Sequence, residues 1–183
     1  MIHSTNTYNK SVWASLALLV LICSCESQFK EVQKMGVSVF APTGEADSIN
    51  LTYTDSGHVQ ANLKSLKMKD YGGVTFPFTE FPKGIFLTLF DKQGSKTYVK
   101  ADYAVSYRAT NLIDLQNNVV IYTDAGQKMT TEQLYYDQKQ EWFFTEQVFQ
   151  FTDPKGNSTG KGIDFSRDFK IVKTHDFSGQ VAE

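Results

Sequence analysis

The sequence predicts an all-β, antiparallel fold. Three observations carry that expectation. Apolar residues alternate with polar ones at period 2 through most of the chain after residue 46. Short Gly- and Asp-containing turn signals separate the alternating runs. The 3.6-residue periodicity of an amphipathic helix is absent once the N-terminal segment has passed.

The runs follow one another in order. "INLTYTD" alternates Ile49, Leu51 and Tyr53, and "HVQANLK" alternates Val59, Ala61 and Leu63. Asp55-Ser56-Gly57 between them reads as a hairpin turn, with Gly57 supplying the backbone freedom. Pro77 and Pro82, two of the four prolines, bracket a stretch that reads as a loop. "GIFLTLFD" carries Ile85, Leu87 and Leu89, then turns at Lys92-Gln93-Gly94. "TYVKADYAVSY" reads as one alternating run through Val99, Ala101, Tyr103, Val105 and Tyr107. "LIDLQNNVVIYTD" carries Ile113, Leu115, Val119 and Ile121 and turns at Asp124-Ala125-Gly126. Further strands are expected near Met129 to Tyr136, Glu141 to Thr152, Ile163 to Phe165 and Lys170 to His175. An Asp-to-Gly turn recurs at Asp91–Gly94, Asp124–Gly126 and Asp153–Gly156. That weak repeat predicts hairpins laid side by side into an elongated sheet.

Fourteen Phe and nine Tyr are a heavy aromatic load. Phe86 and Phe90 alternate against Ile85, Leu87 and Leu89, and Phe143 against Trp142 and Phe144, so some strands are apolar on both faces. A filled sandwich core and a ligand groove between two sheets both accommodate such residues.

The N-terminus is of a different kind. Ser11 to Ser24 is uncharged, follows Lys10 and precedes the first acidic residue, Glu26. Its length is close to the apolar core of a signal peptide, about 7 to 15 residues, and short of the roughly 20 that span a bilayer. Residues 1–24 are therefore read as a signal peptide, against the alternative of a short transmembrane anchor. The two cysteines are separated by one residue, which suits neither a CxxC redox pair nor a metal site. "ICSC" resembles a lipobox, with branched Ile22 three residues before Cys25 and small Ser24 just before it. Cys25 is the expected lipidation site. Residues 25–46 form the expected tether, and 47–183 the domain, about 160 residues in all after cleavage and enough for one real core. Stable anchoring takes at least two acyl chains.

Several chemistries find no support. The net charge is −2 and no basic run occurs, which argues against nucleic-acid binding. His58 and His175 stand in separate segments and read as surface or edge residues. "GNSTGKG", Gly156 to Gly162, has the wrong spacing for a phosphate loop, with Gly162 where Ser or Thr should bind magnesium, and reads as a turn between strands. Asp164, Asp168, Asp137 and Glu141 read as solvated carboxylates. Asn50 and Asn157 open glycosylation-type triplets, a pathway that a bacterial lipobox makes irrelevant. No catalytic residue, metal or cofactor is assigned.

One resemblance ties the pieces together. An apolar strand ends in Phe90-Asp91 and turns, "VKAD" follows at Val99 to Asp102, and "GQKMTTEQLYYD" runs from Gly126 to Asp137. With the "YTDSG" hairpin at Tyr53 to Gly57 and the glycines at 160 and 162, these resemble the LptC family, the membrane-anchored periplasmic component of the lipopolysaccharide export bridge, over about residues 47 to 181. Asn117 stands where the family often has Gly, and Asn tolerates the left-handed conformation that turn needs. Many family members keep an N-terminal transmembrane helix, where the segment in this chain reads as a cleaved lipoprotein-type leader.

The resemblance implies a twisted antiparallel β-jelly roll, open along a groove between two sheets. It implies lipopolysaccharide as cargo, an LptF/LptG-type transporter β domain at one sheet edge and an LptA-type bridge protein at the other. The chain would sit on the periplasmic face of the inner membrane, held by its lipid. The groove lining is expected from the first hairpin (Leu51, Tyr53, Val59), from Phe78, from Ile85, Leu87, Leu89, Val99 and Ala101, and from Leu115, Val119, Ile121 and Leu134. A one-residue register shift would swap that face for the other. Gly57 and Gly160 are expected at backbone turns. The rival reading is a structural or adhesion-type β-sandwich lipoprotein with a filled core and no lipid ligand. A lipid hydrolase would need a nucleophile–base pair that the sequence does not offer.

Overall fold

The computed structural model describes residues 41–181. The expected leader, Cys25 and most of the tether lie outside the described residues. Eleven strands follow in order: β1 Gly44–Asp55, β2 His58–Tyr71, β3 Phe78–Phe81, β4 Ile85–Phe90, β5 Lys96–Ala101, β6 Tyr103–Tyr107, β7 Leu112–Thr123, β8 Lys128–Asp137, β9 Trp142–Asp153, β10 Gly156–Ser166 and β11 Val172–Val181. Every pairing is antiparallel.

Two strands change partners along their length, and this makes a jelly roll out of a single sheet. β2 gives Ala61 to Lys64 to β4 and Lys69 to Tyr71 to β3. β7 gives Leu112 to Gln116 to β6 and Val120 to Thr123 to β5. Since β4 pairs with β5 and β3 with β6, the circuit closes as β2–β4–β5–β7–β6–β3. The β4–β5 flap and the β3–β6 flap share one core, which draws on Phe81 and Ala104 from one and Leu87 and Val99 from the other. From β7 the sheet continues as a plain meander through β8, β9, β10 and β11. Among the described residues β1 pairs only with β2, and β11 only with β10, so both ends present an open edge.

The bends have local causes. Ser65, where β2 changes partner, donates its hydroxyl to the Gly84 carbonyl at 2.6 Å, satisfying a buried polar group at the corner. β7 bulges at Asn117 and Asn118, whose φ values are 64° and 50°. Register shifts recur in β8 and β9 between Thr131 and Tyr135 and in β10 between Lys161 and Ile163, so adjacent strands turn together.

Four sequence expectations need correction. The Pro77–Pro82 stretch holds β3, a strand too short to show alternation, with the prolines just outside its ladder. "TYVKADYAVSY" breaks at Asp102, because β5 and β6 belong to opposite flaps. Gly44 to Ala46, assigned to the tether, begin β1, where Lys67 bridges Glu45 at 2.7 Å and Asp47 at 3.2 Å. Gly156 to Gly162 is strand, not turn. Gly160 therefore serves a different purpose from the one expected: a Cβ there would overlap the Asp176 carbonyl oxygen and lie 2.8 Å from the Phe149 ring. Close approach of two strands requires it, not a turn. Gly57 does stand in the β1–β2 turn, at φ 80°.

The recurrent Asp turns are real but not uniform. Asp91, Asp137 and Asp153 each accept a backbone N–H from two residues on, at 2.9, 2.9 and 2.8 Å. At Asp124 the turn is closed instead by the Gly126 N–H donating to the Thr123 carbonyl at 3.1 Å. The repeat yields a meander only from β7 onward, since β6 interrupts it earlier.

Candidate functional site

One row of side chains defines the site. Cross-strand register places Leu51, Leu63, Leu87, Val99, Ile121, Met129 and Phe151 opposite one another in turn, on the inner face of seven strands. Their exposure is graded. Leu51 is 49 % exposed, Leu87 3 %, and Val99, Ile121 and Met129 are fully buried. The inner face thus runs from solvent at the β1–β2 hairpin into the core at β5. A fully buried side chain of this kind contributes about 1.5–3 kcal/mol. Those at the mouth give up most of that by staying wet.

At the mouth lies an open cleft of about 710 Å³. Leu51, Tyr53, Ala61 and Leu63 of the hairpin form one wall, Leu87 and Leu89 of β4 the floor, and Ile113 of β7 with Tyr136 of β8 the far wall. That size is in the range of pockets for small apolar ligands, roughly 300–1,000 Å³. The far wall is stiffened by stacked rings: Tyr136 on Phe143 at 4.4 Å, Phe143 on Phe165 at 5.3 Å and Phe165 on Phe169 at 4.6 Å. Burial pushes the Tyr136 phenol up to about 12, with Arg167 beside it pulling the other way, so its hydroxyl stays neutral.

Arg167 fixes the polar rim. Its guanidinium, 12 % exposed, pairs with Glu141 at 2.9 Å. Its carbonyl accepts the Thr97 hydroxyl at 2.7 Å, and its N–H donates to the Glu141 carbonyl at 3.1 Å. Gln138 and Lys139 complete that rim. An apolar trough with a charged lip at one end suits a molecule that is itself apolar with a polar head.

The expected lining divides three ways. Leu51, Tyr53, Leu87 and Leu89 do border the cleft. Ile85, Val99, Ala101, Leu115, Val119, Ile121 and Leu134 are buried and pack the core instead. Leu87 and Leu89 are themselves 3 % exposed and form only the floor of the cleft, whereas Leu51 and Tyr53 of the β1–β2 hairpin stay exposed at its mouth. Val59 is exposed outside the cleft, and Phe78 stacks on Tyr71 at 4.5 Å, away from it. Ala61, Leu63, Ile113 and Tyr136 line the cleft beyond the expected set, although Leu63 shares the alternation of Leu51 and Ile113 that of Leu115. Nothing in the sequence around Arg167 marks it as the rim cation.

The remaining polar groups have structural surroundings. Among the described residues no group of three or more His, Cys, Asp or Glu is placed to hold a metal. His175 lies 3.5 Å from Glu146 and 3.6 Å from Asp164. Asp168 is not a simple solvated carboxylate: its Oδ1 accepts the Ser166 hydroxyl at 2.7 Å and the Lys170 N–H at 3.1 Å, shaping the β10–β11 turn.

The described residues thus form an antiparallel jelly-roll protein whose inner face opens to solvent through a partly apolar cleft. The chain matches the family described as lipopolysaccharide-assembly, LptC-related, over residues 16–174, and it belongs to that family. Membership gives it a role in lipopolysaccharide transport, in the periplasm and in association with the inner membrane. The family is one of transport-bridge proteins, not enzymes. No curated protein matches the chain.

Proposed function

We propose that this chain is a lipid-anchored component of the lipopolysaccharide bridge. It receives lipopolysaccharide from an inner-membrane ABC transporter and passes it to an LptA-type protein along the cleft. The observation that carries this reading is the open cleft, where Leu51, Tyr53, Leu63, Leu87 and Leu89 offer acyl chains an apolar wall continuous with solvent at one end. The two open edges, β1 and β11, supply the strand-addition surfaces that an LptF/LptG-type β domain and the bridge protein require. Cys25 carries the lipid, which holds the domain at the membrane after the leader is removed.

Photo-crosslinking in cells tests the cargo. A photoreactive residue in place of Leu51 or Leu63 is expected to capture lipopolysaccharide, and one in place of Val148, exposed outside the cleft, is not. Capture at none of the cleft positions overturns the carrier reading in favour of a filled sandwich without a lipid ligand. Labelled palmitate tests the anchor. It is expected on the parent chain and absent from Cys25→Ser, and its absence from both removes the lipoprotein assignment while leaving the cleft untouched.

A further inference from the structure

The sequence has no basic run, but strand pairing assembles a basic patch from residues far apart in the chain. Lys64 of β2 and Lys100 of β5 are the two direct register partners of Phe86 in β4. All three side chains therefore share the outer face of the sheet, opposite the cleft. Lys83, in the turn before β4, joins them around a shallow depression of about 400 Å³ that Leu66 and Phe86 help to line. These three lysines are exposed, and no carboxylate among the described residues forms an ion pair with any of them. Asp102, the carboxylate on the rim of the depression, is bound by the Asn118 amide at 2.7 Å.

The face continues as a strip of rings. Phe86 packs against Tyr98 at 6.1 Å and Tyr98 on Tyr122 at 4.9 Å, and Lys96 reaches over the Phe90 ring at 6.0 Å. Leu66 is 69 % exposed beside the lysines. Unpaired cations about 10 Å apart across the strands repel one another, and on a chain of net charge −2 they need a reason to gather.

We propose that the outer face of β4 and β5 docks on an anionic lipid bilayer, with Lys64, Lys83 and Lys100 on phospholipid headgroups and Leu66 and the Phe86–Tyr98–Tyr122 strip at the interfacial level. Aromatic rings and lysine stems suit that level because each has an apolar body and a polar end. Such docking lays the domain on the membrane with its cleft facing away. It holds whether or not the cleft carries lipopolysaccharide.

Vesicle co-sedimentation tests it with the whole chain carrying Cys25→Ser, so that no acyl anchor contributes. Binding is read as the ratio between vesicles of phosphatidylcholine with a quarter phosphatidylglycerol and vesicles of phosphatidylcholine alone, which cancels any uptake through the apolar N-terminal segment. At low salt the ratio is expected to be about 5-fold or more and to collapse at high salt. The triple variant Lys64→Glu, Lys83→Glu, Lys100→Glu is expected to bring it to about one, at an unchanged melting temperature. The triple variant Lys92→Glu, Lys155→Glu, Lys161→Glu has the same net charge and is expected to keep it within about 2-fold. Equal loss in the two variants, or no preference for the anionic vesicle in the parent, overturns the proposal. So does release of the parent by millimolar inorganic phosphate at constant ionic strength, which would show a free-anion site and not a bilayer surface.

Discussion

Asn118 donates its side-chain amide to the Asp102 carboxylate across 2.7 Å, while the Asp102 N–H donates to the Asn117 carbonyl at 3.1 Å. The break between β5 and β6 and the bulge of β7 are thus one unit. It lets two strands that are adjacent in sequence diverge into opposite flaps. Asn118→Ala removes a charge-assisted bond at an exposed site and puts Ala at φ 50°, and a loss of about 1 kcal/mol, mostly from the backbone, is expected. Asn117→Gly is expected to be close to neutral and Asn117→Val to cost more than either. Urea unfolding of the three variants orders them.

Gly160 and Gly94 separate two reasons for glycine. A Cβ at Gly160 meets the Asp176 carbonyl and the Phe149 ring, while one at Gly94 meets nothing within 4 Å but sits at φ 85°. Gly94→Ala is expected to cost about 1 kcal/mol, from backbone conformation alone. Gly160→Ala is expected to cost about 2–3 kcal/mol, because β9 and β11 must both shift. Similar melting temperatures for the two variants would show that the strands yield at Gly160 at little cost.

Stability and cargo handling part company along the inner row. Leu87→Ala is expected to lose about 2–5 kcal/mol, since it empties part of the core. Leu51→Arg, at a half-exposed position, is expected to change stability by no more than about 0.5 kcal/mol. It should nevertheless cut lipopolysaccharide capture by a photoprobe at Leu63 several-fold, because a guanidinium stands at the mouth of the cleft. Undiminished capture would place the cargo elsewhere.

Asp168 gives the fold an acid limit. Burial alone would raise its carboxyl, but hydrogen bonds from Lys170 and Ser166 outweigh that and hold it at about 2, against an ordinary value of 3.8. A depressed folded-state value means stability that is full above about pH 4 and lost as the pH falls through about 2. With allowance for solvent screening at this partly exposed group the contribution is about 1 kcal/mol. Asp168→Asn is expected to lower the unfolding free energy by that amount at pH 7 and by almost nothing at pH 2. A difference that persisted unchanged at pH 2 would point to packing instead.

Much of the sheet was legible because alternation records which face is dry. Ile85, Leu87 and Leu89 against Phe86, and Phe143 against Trp142 and Phe144, fell on the faces that their spacing implied. The breaks were not legible. Asp102 interrupts a run whose alternation continues in register on both sides, so only the contacts with Asn117 and Asn118 reveal the corner. β3 spans four residues between prolines, and its pairing with β2 and β6 comes from tertiary closure. Gly160 looked like a turn because glycine has two uses, and the sequence shows only the residue. The lining of the cleft was half legible for a related reason. Alternation identifies the inner face, but not where along it the core ends and solvent begins, which is what separates Leu51 from Val99.

The change of partners in β2 and β7 also bears on how the molecule assembles. From β7 to β11 every pairing joins sequence neighbours, so that half can zip up hairpin by hairpin with short loop closures. The first half cannot, because β2 must skip to β4, β3 to β6 and β5 to β7 before the circuit closes. Pulse-labelling of amide hydrogens during refolding is expected to show β8 to β10 protected first and β2 to β4 last. The trough would then be the final feature to appear, so a half-folded chain could expose its C-terminal edge while still having nowhere to put a lipid.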